Sequence, residues 1–298
     1  ILECKSHEEY DEKFPALNLN IQNEDVLAII AGSGKISGGS LRLLEQLQNN
    51  KITVLYIEGD LTIMSDTQKK QERIVSSVLQ EYARSGAIEQ IIMVNNAYIE
   101  RSIGDMSIIG YYDTLNQAIV NIIHMMNVFK HSEPVIGNFI TPSELSRICT
   151  IGAVTLEGDD YTEYEEKWFY PLTYTKDVVY YYGIGDDDLK NDGTLFRKIN
   201  NFVKSRLDTG ANVSYGVFRT SYEQKYCYCI RYASVVQYID ELLGDQDIGW
   251  SYFNPRKEIK MGINLDKMRA KLAALRGEGK GGDSVFWRPE DGDQDIRI

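Results

Sequence analysis

The chain has 298 residues, 43% apolar and 26% charged, enough for one large or two medium domains with real cores. A net charge of −12 argues against broad affinity for nucleic acid or anionic membrane; no apolar run is long enough to cross a bilayer, and no signal peptide opens the chain. Four scattered cysteines, with Cys227 and Cys229 two apart on one strand face, make no zinc site and read as reduced core residues of a cytoplasmic protein.

Residues 1–24 are polar and read as the end of a helix and a linking loop. The chain opens on Ile1 rather than Met and stops at Ile298 inside an apparent strand, so it reads as a fragment at both ends. The stretch that organises the rest is 25–40, DVLAIIAGSGKISGGS. Residues 26–31 are an apolar run without alternation, the pattern of a strand buried on both faces. A small-residue loop follows, holding Gly32, Ser33, Gly34, Lys35, Ser37, Gly38 and Gly39. Leu41, Leu43, Leu44 and Leu47 then recur at helical spacing, with Ser40 as the expected N-cap. Strand, glycine-rich loop and helix start form a geometry that binds phosphate, because glycines let the backbone approach and unpaired N–H groups face the anion. The alternative is a βα turn that binds nothing. The Walker pattern is missed, since Lys35 precedes Ile36 rather than a hydroxyl, and GxGxxG breaks at Ser37.

Residues 51–58 (KITVLYIE) predict a second buried strand, 67–84 a helix with Ile74, Val78, Leu79 and Tyr82 on one face, and 91–94 a third strand. This alternation implies a parallel sheet wound with helices, whose ligands bind at the carboxyl ends of the strands, where the glycine loop lies. The third strand runs into Asn95-Asn96. A long helix over about 109–129 follows, central and largely buried, with Leu115, Ile119, Ile122, Ile123 and Met126 inward. On it Tyr112 and Asn116 stand one turn apart, so an aromatic face and an amide with donor and acceptor address one ligand. The alternative is a core Tyr112 and a capping or solvated Asn116.

These motifs together resemble the tubulin/FtsZ family. The loop, through Ser37-Gly38, is similar to the signature GGGTGSG or GGGTGTG, with Lys35 and Ile36 standing where two glycines would be. VNNAYI resembles IDNEAL, which sets Asn96 on the family's Asn, and Tyr112-Asp-Thr-Leu115-Asn116 resembles Tyr-x-x-Leu-Asn at the start of the central helix. The resemblance implies GTP with Mg2+, phosphates at the loop, the Tyr112 ring stacked on guanine, and Asn96 and Asn116 bonded to its edge. Asn138-Phe-Ile-Thr141-Pro-Ser-Glu144 resembles the synergy loop Asn-x-Asp-x-x-Asp/Glu, with Thr141 in place of the first acid and Glu144 on the last. In the family this loop reaches the nucleotide of the next subunit in a head-to-tail filament, and its acids position the attacking water. The plain alternative is a helix start opened by Pro142 and Ser143. The family's first strands and loops, which hold much of the phosphates and Mg2+, have no counterpart before Asp25.

From Gly152 the pattern changes. Residues 157–166 read as an acidic, solvated loop, 178–184 as a strand, and 194–207 as an amphipathic helix with Leu195, Phe196, Ile199, Phe202 and Val203 inward. Strands follow at 212–220 and 226–234, an order that resembles the FtsZ activation domain. Met261 looks like a fresh translational start, and 261–298 resembles the N-terminus of the single-stranded-DNA-binding protein of T-even-like phages. There Lys267, Arg269, Lys271 and Arg276 are the basic set and Trp287 an aromatic. A charged partner-binding tail and a gene-joining artefact, signalled by GDQDI at both 244–248 and 292–296, are the alternatives.

The expectation is an α/β protein: a partial nucleotide-binding domain with the central helix (1–131), a smaller α+β domain (132–240), then linker and tail (241–298). The function implied is that of a phage-encoded, GTP-binding, filament-forming protein of the host cytoplasm, with no metal site of its own side chains. A non-hydrolysing scaffold and a DNA-replication module are the rivals.

Overall fold

The computed structural model describes residues 3–237 except 33, 140–141, 143–144, 158–162 and 223–224. In chain order its elements are α1 (His7–Glu12), β1 (Asp25–Ala31), α2 (Ser40–Gln46), β2 (Lys51–Glu58), α3 (Asp66–Arg84), β3 (Gln90–Asn95), α4 (Asn96–Ile103), α5 (Tyr111–Lys130), β4 (Ile136–Asn138), β5 (Ile148–Glu157), β6 (Glu163–Trp168), β7 (Thr175–Gly185), α6 (Asp186–Asn191), α7 (Leu195–Leu207), β8 (Asn212–Thr220) and β9 (Tyr226–Ala233).

The described strands make one nine-stranded sheet in the order β1-β2-β3-β5-β9-β7-β8-β4, with β6 pairing β5 off that path. β1, β2 and β3 are parallel, as βα alternation requires. β3 holds β5 through only two register positions, Ile91↔Ile148 and Ile92↔Cys149. β6 takes up that same edge of β5 further along, antiparallel, from Gly152↔Trp168 to Glu157↔Glu163. β9 is antiparallel to both β5 and β7, while β7 and β8 are parallel.

Alternation along the strands divides the core between two layers. On one face Tyr180, Tyr182, Cys227 and Cys229 pack with Leu195, Ile199 and Phe202 of α7. On the other, Leu55, Ile92, Val94, Cys149, Val179 and Ile230 pack with Leu115, Ile119 and Ile122 of α5. α3 begins with a capping box, Ser65 and Gln68 each satisfying the other's backbone N–H. No helix among the described residues is long and apolar enough to cross a membrane.

Four expectations are corrected. β1 is not buried on both faces: Ala28 and Ile30 are inward, while Leu27 and Ile29 are 44% and 63% exposed. The strand lies at the end of the sheet, and the described chain covers one of its faces. α5 is buried along one stripe, gaining Phe129 inward, while Val120 and Val128 stay in solvent. Phe196, expected inward on α7, is exposed. The acidic 157–166 stretch is not a solvated loop throughout, since 163–168 is β6. Its Glu166 pairs with Arg206 and accepts from the Tyr180 hydroxyl at 2.5 Å and the Trp168 indole at 3.1 Å. A neutralising arginine and two donors let this acid enter the fold.

Candidate functional site

The glycine loop leaves the carboxyl end of β1, where the Gly32 N–H extends the parallel ladder to the Ile57 carbonyl at 3.0 Å. Residues Lys35–Gly39 form a 3-10 stretch that runs directly into α2. The Ser37 hydroxyl lies 3.0 Å from the Gly32 carbonyl and 2.6 Å from the Gly34 carbonyl, closing the loop on itself. Ser40 is not the N-cap that the sequence suggests. It is the buried first residue of α2, its N–H donating to the Ser37 carbonyl, and Gly39 takes the cap position without a side-chain bond. The 3-10 stretch leads straight into the helix and already gives the Ser40 N–H a partner.

The glycines answer to different neighbours. A Cβ on Gly32 would lie 2.1 Å from both the Tyr56 hydroxyl and Glu72 Oε1, one on Gly38 1.9 Å from the His7 carbonyl, and one on Gly39 2.4 Å from the Phe14 ring. Residues 7–14 therefore sit against the far half of the loop. Gly34 has room, its nearest contact being 3.8 Å away, and Lys35 and Ile36 are exposed. The open part of the loop is thus 34–36, where the leading N–H groups of a 3-10 turn and the Lys35 ammonium suit an anion. Ser33 lies outside the described residues.

Beneath the loop runs a buried polar network that sequence reasoning missed. Glu58 and Asn95 are register partners at the ends of β2 and β3. Asn95 Nδ2 donates to Glu58 Oε2 at 2.6 Å, and its Oδ1 caps α4 by accepting from the Ala97 N–H at 2.9 Å. The Tyr56 hydroxyl donates to Glu72 Oε1 at 2.7 Å. Glu58 and Glu72 are 4% and 1% exposed. Burial, reinforced by the Glu58 charge, pushes Glu72 up to about 7 against the pull of the Tyr56 and Gly59 donors. Two signals could have found these groups: an acid ending an apolar strand, and an acid three and seven residues before the buried Val75 and Leu79 of α3.

Asn96 is the half-buried first residue of α4. α5 starts behind Gly110, whose φ of 84° is the left-handed turn that redirects the chain. Tyr112 is 66% exposed, which corrects the alternative of a core tyrosine; its ring meets Tyr111 edge-on at 5.1 Å. Asn116 is exposed beside it, while Leu115 and Ile119 point into the core. Tyr111 donates to Glu100 Oε2 at 2.8 Å and feels the charge of Asp60, so the start of α5 lies near the β2–α3 connection. Glycine loop, Asn96, Tyr112 and Asn116 therefore share the carboxyl edge of the parallel strands. Thr141, Glu144, Lys267, Arg269, Lys271, Arg276 and Trp287 lie outside the described residues.

No group of three or more His, Cys, Asp or Glu side chains among the described residues suits a metal ion. Two cavities, of about 140 and 450 Å³, lie elsewhere: one is lined by Glu166, Trp168, Arg206 and Arg231, the other by residues around Asn23 and Asn49. Neither includes a residue nominated above.

A mixed α/β sheet with this strand order, a glycine loop after a parallel strand and a long helix against the sheet is the tubulin/FtsZ-type fold. The chain is similar to TubZ from Bacillus thuringiensis serovar israelensis in a GTPγS-form protofilament, with 16% identity and a TM-score of 0.52, over 78% of this chain and 66% of that one. It is similar to the same organism's TubZ in GDP-form protofilaments, with 18% identity and a TM-score of 0.52, over 72% and 62% of the two chains. A TubZ of type III plasmid segregation gives 17%, 0.51, and 78% and 69%. The chain spans slightly less than two thirds of the length of the first of these TubZ chains. No family model and no curated protein matches the sequence.

Proposed function

We propose that this chain belongs to a GTP-binding protein that polymerises head to tail. The observation that carries the reading is Tyr112 and Asn116, open to solvent one turn apart, on the edge where the glycine loop and Asn96 end their strands. A ring face can stack on a base and an amide can donate to and accept from its edge, while loop residues 34–36 are open to phosphate. Those groups fit a purine nucleotide. TubZ, the protein of similar fold, forms protofilaments in GTPγS and GDP forms, which supports nucleotide-linked assembly here. The resemblance implies Mg2+ beside the phosphates, although no group of three or more acidic, His or Cys side chains among the described residues suits a metal ion.

Within this reading GTP is hydrolysed at a site shared between subunits. α5 has 20 residues, a length of about 30 Å, and Glu144 follows it in sequence; on the resemblance, this acid serves the nucleotide of a neighbour rather than its own. That contact is heterologous and builds open filaments. The reading keeps the partition 1–131, 132–240 and 241–298, with a phage origin and a single-stranded-DNA function for the tail resting on the resemblance of 261–298. A non-hydrolysing assembly protein is the second reading, favoured by Gly38 and Gly39 being packed against His7 and Phe14 rather than open.

Base recognition is testable directly. The protein should bind GTP in preference to ATP, and Asn116→Ala should reduce that preference by about 1–3 kcal/mol through an unpaired base edge. Equal affinity of the intact protein for the two nucleotides in calorimetric titration would remove the assignment.

A further inference from the structure

Glu72 is a buried acid that no cation faces among the described residues. Its Oε2 has no hydrogen-bond partner among the described residues, and its Oε1 has the Tyr56 hydroxyl. The groups that face it are Tyr56, Glu58 and the Gly59 N–H on and after β2, and Tyr170 in the segment after β6. None is a cation. Low dielectric and the nearby Glu58 both favour a neutral carboxyl. The same carboxyl lies directly under the glycine loop, since a Cβ on Gly32 would meet Oε1 and the Tyr56 hydroxyl at 2.1 Å each. Gly32 therefore rests on this pair without slack, and a change in the pair is transmitted to the loop.

We propose that Glu72 is a proton-sensitive brace of the glycine loop: its neutral carboxyl and Tyr56 form the floor under Gly32, and ionisation displaces the loop and places negative charge beneath it. The proton sits on Oε2 and leaves to solvent, and Tyr56 keeps its own, held well above the usual tyrosine range by burial. The brace concerns the loop itself; its consequence, weaker nucleotide binding as pH rises through neutrality, rests on the nucleotide reading above.

The test follows the amide resonances of Gly32, Gly34 and Ser37 in the 15N-labelled chain from pH 5.5 to 8.5. They should titrate with a midpoint near neutrality in the unmodified chain and stay flat in Glu72→Gln. His7 is buried against Gly38 and is the control for a second ionisable side chain at the loop, so His7→Gln should retain the transition. Tyr56→Phe removes a donor that favours the carboxylate and should move the midpoint upward, which keeps the test open if Glu72→Gln does not fold. Amides that do not titrate, or that still titrate in Glu72→Gln, would overturn the brace. In a second arm GTP affinity, read with a fluorescent analogue, should fall about tenfold more from pH 6 to 8 in the unmodified chain than in Glu72→Gln. A loop that titrates through Glu72 in a protein that binds no GTP at any pH would keep the brace and remove the nucleotide reading.

Discussion

Gly38 faces the His7 carbonyl with no space for a methyl group, whereas Gly34 faces open space in an extended conformation, φ −82°, ψ 147°. Gly38→Ala should therefore cost about 2 kcal/mol or more in urea unfolding, and Gly34→Ala should stay within about 0.5 kcal/mol. Equal losses would mean that the loop does not pack against residues 7–14. Glu72 gives a pH dependence with a definite sign. Its folded pKa is about 7, above the ordinary carboxylate value, so the folded state binds more protons than the unfolded one between those limits. Stability should fall as pH rises from about 4.5 to about 7, by roughly 3 kcal/mol in all, and level off above. Unfolding midpoints of Glu72→Gln should lack that slope, and a slope that persists would assign it elsewhere. In the sequence the loop's glycines looked alike, because spacing records small residues but not which neighbour requires them. Tyr112 and Asn116 were legible as a pair because helical periodicity sets them one turn apart; their exposure was not, since the same periodicity brings Leu115 and Ile119, which are buried, onto nearly the same face.

β2 and β8 were legible to the residue and the spans of α3 and α7 nearly so, because burial on both faces or along one stripe writes a continuous pattern into the sequence. The inward faces were read less well, since Ile74 and Val78 of α3 are only half-buried, Val75 is buried in their place, and Phe196 of α7 is exposed. β1 was misread for a physical reason: DVLAIIA has the composition of an interior strand, yet it lies at the end of the described sheet. Ile30→Ala should cost about 2–5 kcal/mol, as for a filled core position, while Ile29→Thr should cost less than about 1 kcal/mol. A comparable loss at both positions in thermal unfolding would show that a further layer covers the outer face of β1. β6 was hidden because its acids imitate a solvated loop, and only Arg206, some forty residues away in sequence, explains why Glu166 is tolerated inside. α4 was hidden because it occupies eight residues between stronger signals, and its cap is a side chain already committed to Glu58.

The parallel half and the mixed half share one sheet, joined where β5 leaves β3 for β9 and β6. The two core layers lie on opposite faces of that sheet, with α5 on one and α7 on the other. On the proposed reading, α5 on this continuous sheet is a strut between the nucleotide edge at one end and the subunit contact at the other, the arrangement an open filament needs. The measurement that bears on this most directly is GTP turnover per molecule against protein concentration. A site completed by a neighbour predicts a rate that rises with concentration and saturates as filaments form, with Glu144→Ala slowing turnover while GTP binding persists. A per-molecule rate that stays flat across the concentration series, or one untouched by Glu144→Ala, would contradict the account.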